Sequence, residues 1–125
     1  PRTPDDLDRH TLIANTAAQS HNRWDFTVGG KLVSRDTSGH LRVNSSSAVV
    51  SLALAGAGIA RINDVPGGAL VEAGRLKPVL ATQAVAGQHH IHAVVLATRD
   101  RAPKIRATMD FLQTCFAAFR PLPAA

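Results

Sequence analysis

The sequence predicts an α/β domain with a mixed sheet, and three observations carry that prediction. Short apolar runs recur along the chain, and one of them alternates Trp24, Phe26 and Val28 with Asp25 and Thr27, the two-residue period of a half-buried strand. Near the end, Ile105, Met109, Leu112, Phe116 and Phe119 recur at spacings of 4, 3, 4 and 3, the apolar stripe of a helix facing a core. Between these segments, strand-like and helix-like stretches are interleaved and separated by glycine and proline turn signals, the order of an α/β layer. A length of 125 residues fits one domain.

In chain order, Pro4-Asp5-Asp6-Leu7 has the grammar of a helix start, with proline in the first turn and acids at the positive end of the dipole. That helix is expected to end near His10, and residues 11–14 to form a short strand. Residues 16–22 are polar and read as a loop. A strand follows through Trp24, Phe26 and Val28, and Gly29-Gly30 turns it back. Residues 31–35 and 40–43 are expected to be strands on either side of Asp36-Thr37-Ser38-Gly39, a run of residues that tolerate tight turns. Asn44-Ser45-Ser46-Ser47 offers several N-caps to a helix over 48–57, closed by Gly56 and Gly58. Residues 58–62 read as a strand, Pro66-Gly67-Gly68 as a turn, and 69–73 as a short helix closed by Gly74. Residues 76–80 read as a strand, 81–88 as a loop, and 91–97 as an apolar β-branched strand. Pro103 opens a final helix to about Phe119, and Pro121 ends it.

Composition narrows the function. No run of eighteen uncharged apolar residues and no signal-peptide pattern occurs, so neither a membrane span nor a membrane partner is expected. The chain opens at Pro1 and reads as a piece of something longer or a processed product. One cysteine, Cys115, allows no internal disulfide, which fits a reducing compartment. A net charge of +5 points toward anionic partners, but the basic residues are scattered apart from Arg99, Arg101, Lys104 and Arg106, and aromatics are only 4% of the chain. Base-stacking platforms are therefore lacking, and that cluster reads as a solvated helix entrance.

Several groups of residues invite a chemical reading. Gly56-Ala57-Gly58 lacks the preceding strand, following helix and third glycine of a dinucleotide loop, and reads as a junction where helix and strand pack closely. His89-His90-Ile91-His92 has neither cysteine nor carboxylate nearby to complete a metal site, so no metal or other cofactor is expected. Cys115 sits beside the apolar stripe and reads as a buried, inert thiol. Ser20-His21 lies in a polar loop without the strand-turn-helix setting of a nucleophile, and Asp5, Asp6 and Asp100 have capping roles. No catalytic residue is expected. Asn44, Ser45, Ser46 and Ser47 are the richest polar group, since free N–H groups, a dipole end and hydroxyls together suit an anion or carboxylate. Asn63, after the next strand, can reach the same sheet edge, where ligands of open α/β sheets sit. The helix over 48–57 is apolar nearly all round, so one side is expected on the sheet and the other against a second copy of the chain.

Taken in order, six stretches resemble the regulatory domain of LysR-type transcriptional regulators. They are Pro1 to Leu7 with His10; Trp24-Asp25-Phe26; Leu41-Arg42-Val43-Asn44 followed by Ala48-Val49; Ala55-Gly56-Ala57-Gly58-Ile59-Ala60; Ala73-Gly74-Arg75-Leu76 with Val79-Leu80; and Ala102-Pro103-Lys104-Ile105-Arg106 followed by Asp110-Phe111-Leu112. The chain departs from the pattern at Ala57, where the family is bulkier, in 91–97, where it often has an aromatic, and at Arg61-Ile62-Asn63, which replaces a more apolar strand end. The resemblance implies a type II periplasmic-binding-protein-like fold. Residues 1–119 would be one lobe of an effector-binding domain, the second, with the strand and helix that return to the first, and 120–125 a tail. It also implies a small, anionic effector held by Asn44 to Ser47 and Asn63, a homodimer or higher oligomer through helix 48–57, a cytoplasmic setting, and DNA contact only through a helix-turn-helix domain absent from this chain. Two rivals stay open: a solute-binding protein of the same fold class, and a small nucleic-acid-binding module argued from the pI of about 10.7 alone.

Overall fold

The computed structural model describes residues 1–85, 92–96 and 102–117, which fall into two compact units, 1–85 in the first and the rest in the second. The first unit is built on a three-stranded parallel sheet. Strand β1 (Leu12–Asn15) is its centre, flanked by β4 (Leu41–Val43) and β5 (Ile59–Ala60), with Ile13 opposite Leu41 and Ala60. All four β1 residues are buried, as a central parallel strand covered on both faces requires. Parallel and antiparallel pairings, expected in one mixed sheet, occupy two separate sheets. The second is the hairpin of β2 (Arg23–Val28) and β3 (Lys31–Asp36).

That hairpin turns at Gly29 and Gly30, whose φ angles of +56° and +78° are those of a type I′ turn, which only glycine or asparagine adopts cheaply. Its inward residues, Trp24 and Phe26, join Leu7 and Leu12 in the buried core, with Ile59 and Leu80 packed against them. Leu7 comes from a 3-10 helix, Pro4–Arg9, tied to β3 by Arg35, which bonds Asp8 at 3.0 Å and Asp5 as well. Residues 81–85, expected as a loop, run beside β2: Thr27 donates to the Gln83 carbonyl at 2.7 Å, and Val85 donates to that of Asp25 at 2.9 Å.

Helix α1 (Ser46–Leu54) starts two residues earlier than the apolar pattern suggested and ends at a Schellman motif on Gly56. There the Ala57 N–H reaches the Leu52 carbonyl and the Gly56 N–H reaches that of Ala53, both at 3.0 Å. Gly58 is required for a different reason. A Cβ there would lie 2.4 Å from the Thr11 carbonyl oxygen, the atom that pairs β1 with β5 through Ile59. The close approach at this junction is thus between the segments entering β5 and β1, rather than between helix and strand as the sequence suggested.

Further expectations fail. Helix α2 runs over Asp64–Glu72, so Pro66-Gly67-Gly68 is not a turn but the first turns of a helix capped at Asn63. Pro66 occupies a position whose N–H has no helical acceptor anyway, and Gly67 is buried against Ile62. Residues 76–80 form no strand, because Pro78 lacks the ladder donor and Leu80 turns to a left-handed φ of +55°. In the second unit, 92–96 are described and are not a strand either; Val94 is 92% exposed. Strand propensity without a hydrogen-bonded neighbour forms no ladder.

Helix α3 (Pro103–Ala117) belongs to the second unit. Ile105, Met109 and Leu112 are half-buried on one face at the predicted spacing, and no residue of the helix is buried. Cys115 is exposed, not buried as expected, since it falls off that face. Phe119, His89, His90, Arg99 and Arg101 lie outside the described residues.

A polar cavity at the ends of the parallel strands

Because β4, β1 and β5 run parallel, their C-terminal ends share one edge, and the segments leaving the three strands meet there. From β1 comes Asn15, from β4 the segment leading into α1, and from β5 Arg61, Ile62 and Asn63. The chain beyond β1 is held by a reciprocal clasp. The Asn15 N–H donates to Asn22 Oδ1 and Asn22 Nδ2 donates to the Asn15 carbonyl, both at 2.9 Å. Thr37 secures the clasp, its N–H and hydroxyl both donating to the Asn22 carbonyl at 2.7 Å. Trp24 Nε1 donates to the His21 carbonyl at 3.0 Å, tying the same loop to the core.

The result is a cavity of about 40 Å³ whose polar lining is Asn15, His21, Ser46, Arg61 and Asn63, closed by Val49, Val50, Ile62 and Pro66. Asn15 is only 6% exposed, and both ends of its amide are engaged: Oδ1 accepts from the Ala17 N–H at 3.0 Å and Nδ2 donates to Ser46 Oγ at 3.2 Å. Arg61 Nη1 donates to the Arg23 carbonyl at 2.8 Å. Among the described residues no carboxylate lines the cavity.

Of the five residues singled out from sequence, Ser46 and Asn63 meet at this cavity. Ser45 is the N-cap of α1 by backbone geometry, without a side-chain cap bond; its hydroxyl pairs with that of Ser47 at 2.7 Å. Asn44 is exposed, and Asn44, Ser45 and Ser47 are outside the lining. Sequence reasoning missed Asn15, His21 and Arg61. For Asn15 and Arg61 the available signal was positional, since each lies at or just past the end of a strand, but only the parallel pairing puts those ends together; His21 comes from the 3-10 helix Gln19–Asn22 and had no such signal.

A second, larger cavity of about 680 Å³ lies along β5, walled mainly by apolar groups such as Trp24, Phe26, Ile59 and Leu80, with Arg61 and Ile62 bordering both spaces. Its charged residues, Asp25, Arg61, Asp64, Arg75 and Lys77, mix both signs. The small cavity sets Arg61 among Asn15, His21, Ser46 and Asn63. Among the described residues no cluster could hold a metal ion. Two shifted ionisations lie away from the cavity. Hydrogen bonds from the Arg2 and then the Thr3 N–H hold the Asp6 carboxyl below its ordinary range, and the hydrogen bond to Asp8 holds the Arg35 guanidinium charged.

The parallel sheet gathers Asn15, Ser46, Arg61 and Asn63 at its strand ends, the edge at which open α/β sheets hold small-molecule ligands. The family model described as the LysR substrate binding domain matches residues 1–117, and the chain belongs to that family, as an effector-sensing regulatory domain. Among curated proteins it is similar to the HTH-type transcriptional activator TtdR of Escherichia coli (strain K12), 31% identical over 113 residues, which are 90% of this chain and 36% of that protein. The activators of the same name from E. coli O6:K15:H31 (strain 536 / UPEC) and strain UTI89 / UPEC match over the same 113 residues at the same 31% identity. The chain thus spans about a third of the length of these relatives. No solved structure matches.

Proposed function

We propose that these residues form one lobe of a type II periplasmic-binding-protein-like effector domain and that the effector is a small organic anion seated at the β4-β1-β5 edge. The observation that supports this reading most is the cavity that brings Ser46, Arg61 and Asn63 together at the ends of parallel strands. Asn44, Ser45 and Ser47, beside it at the start of α1, complete the polar rim that an incoming ligand meets. The effector's other side is covered by a lobe outside these residues, and closure of the two lobes relays occupancy, as a ligand that prefers one conformation shifts the population toward it. By analogy with the HTH-type relatives, DNA is engaged by a part of the protein outside these 125 residues, and a cytoplasmic setting goes with that reading. The domain senses and does not catalyse. Helix α1 supports the dimer reading, since its Val50, Leu52 and Leu54 remain half-exposed beside the buried Val49.

The test uses the intact protein in a reporter assay against a panel of organic acids, followed by calorimetry with the acid that responds. Ser46→Ala should weaken binding about tenfold, the worth of one hydrogen bond to a charged group. Ser46→Asp should weaken it more, by setting like charge against the ligand. If both variants bind as the unaltered protein does, the site is elsewhere and these serines serve the helix alone.

A further inference from the structure

The β2-β3 hairpin leaves one edge open, and its register says which groups face it. In an antiparallel ladder successive residues turn their N–H and C=O groups alternately to the two sides of the strand. On β2, Thr27 and Asp25 turn away from β3, to Gln83 and Val85. Trp24, Phe26 and Val28 therefore bond across to Arg35, Val33 and Lys31, their partners in the register, and Thr37 continues that series with its bond to Asn22. The N–H and C=O groups of Leu32, Ser34 and Asp36 are left facing outward from β3, and none is paired among the described residues. Neither a proline nor a bulge blunts this edge, and all three residues are exposed, Leu32 by 67%. On the other row of the same strand the charges are unequal. Arg35 is tied to Asp5 and Asp8, two exposed carboxylates against one guanidinium, whereas Lys31 has no ion pair among the described residues.

We infer that β3 is a docking edge for a second copy of the chain, the two β3 strands running antiparallel about a two-fold axis at Ser34. Only residues with outward groups can form the hydrogen-bonded pairs, which excludes every register that sets Ser34 against a residue such as Val33. Charge chooses among the rest. With Ser34 opposite the partner's Ser34, Leu32 faces the partner's Asp36, and Val33 faces the partner's Arg35, whose apolar stem covers it. Lys31 faces the partner's Thr37, beside the partner's Asp5, Asp8 and Arg35, and the two-fold axis makes each copy give and receive this contact. A slip of two residues one way sets Arg35 against the partner's Arg35, and a slip the other way sets Lys31 against it, so like charges disfavour both neighbouring registers. The match is made by the acidic pair that Arg35 alone does not neutralise. This edge is separate from helix α1 and from both cavities, so the inference is independent of the effector reading; together with the α1 contact it joins dimers into larger assemblies.

The experiment reads the register in the intact protein by disulfide cross-linking under mild oxidation, with links counted above those of a Cys115→Ser parent. Ser34→Cys should link two copies. Leu32→Cys alone should not, because its two positions lie beyond disulfide reach, whereas a mixture of Leu32→Cys and Asp36→Cys proteins should link to each other. Ser34→Pro removes an outward donor without touching a bond to β2, so it should keep the hairpin and raise the dissociation constant of self-association through this edge at least about tenfold in sedimentation. Lys31→Glu should weaken the same association by charge alone. If Ser34→Pro does not fold, Lys31→Glu and the cross-links carry the test. Linking of Leu32→Cys as strong as that of Ser34→Cys, sedimentation unchanged by Lys31→Glu, or a Ser34→Cys protein that links to a different protein and not to itself, overturns the inference.

Discussion

The two walls of the small cavity are built on opposite plans. The β1 wall is Asn15, 6% exposed, with its backbone and side chain joined to Asn22, Ala17 and Ser46. The β5 wall is Arg61 and Asn63, where Asn63 is exposed and its side chain makes no cap bond, and among the described residues Arg61 is held by a single side-chain hydrogen bond. The first wall uses its hydrogen bonds to fix a loop and to aim a hydroxyl, and the second keeps its donors for something outside the protein. Buried polar groups are expensive unless satisfied, so the Asn15 wall is where the fold is defended, whereas the donors of the exposed β5 wall can be given to a ligand at little cost to the fold.

The comparison breaks most sharply at the junction that holds the walls together. Gly58→Ala puts a methyl group against the Thr11 carbonyl that pairs β1 with β5, and should cost about 3 kcal/mol, the upper end for overpacking, read as a fall in the urea midpoint. Next comes the satisfied wall. Asn15→Leu strands the Ala17 N–H and removes the Ser46 bond, and should cost about 1–3 kcal/mol in the same measurement. The β5 wall should behave in the opposite way. Asn63→Ala should leave the urea midpoint within about 0.5 kcal/mol, because its side chain makes no cap bond, yet lower effector affinity. Equal stability losses for Asn15→Leu and Asn63→Ala would erase the distinction between the walls.

The smallest expected effect is acid-dependent and remote from both walls. The Asp6 carboxyl is held below its ordinary 3.8 by the Arg2 and Thr3 N–H groups. Its folded pKa is the lower one, so its contribution is complete above the unfolded value and is lost as pH falls through the folded value. Asp6→Asn should flatten the pH dependence of stability below about pH 4 and leave it unchanged near neutrality.

Much of the first unit was legible because local chemistry and tertiary need agree there. Trp24 and Phe26 alternate in sequence and point together into the core, and Gly29-Gly30 does what two consecutive glycines do best. Residues 76–80 and 91–97 read as strands on the same apolar evidence and misled, because a strand is defined by its neighbour and a sequence does not print the neighbour. Pro78 was the overlooked warning. Pro66-Gly67-Gly68 misled in the other direction, since a proline near a helix start is harmless and a buried glycine can serve packing against Ile62. The candidate site was half legible: Ser46 stood out as a helix-start hydroxyl, whereas Asn15 and Arg61 acquire meaning only once β1 and β5 lie side by side.

The most direct measurement is a crystal structure of the intact protein with the organic acid that moves the reporter. The account predicts a carboxylate in the small cavity, one oxygen about 2.7–3.0 Å from Ser46 Oγ and the other facing the Arg61 guanidinium, with the Asn15–Ser46 bond intact. An acid bound instead in the apolar cavity along β5, with Ser46 and Arg61 untouched, would contradict it.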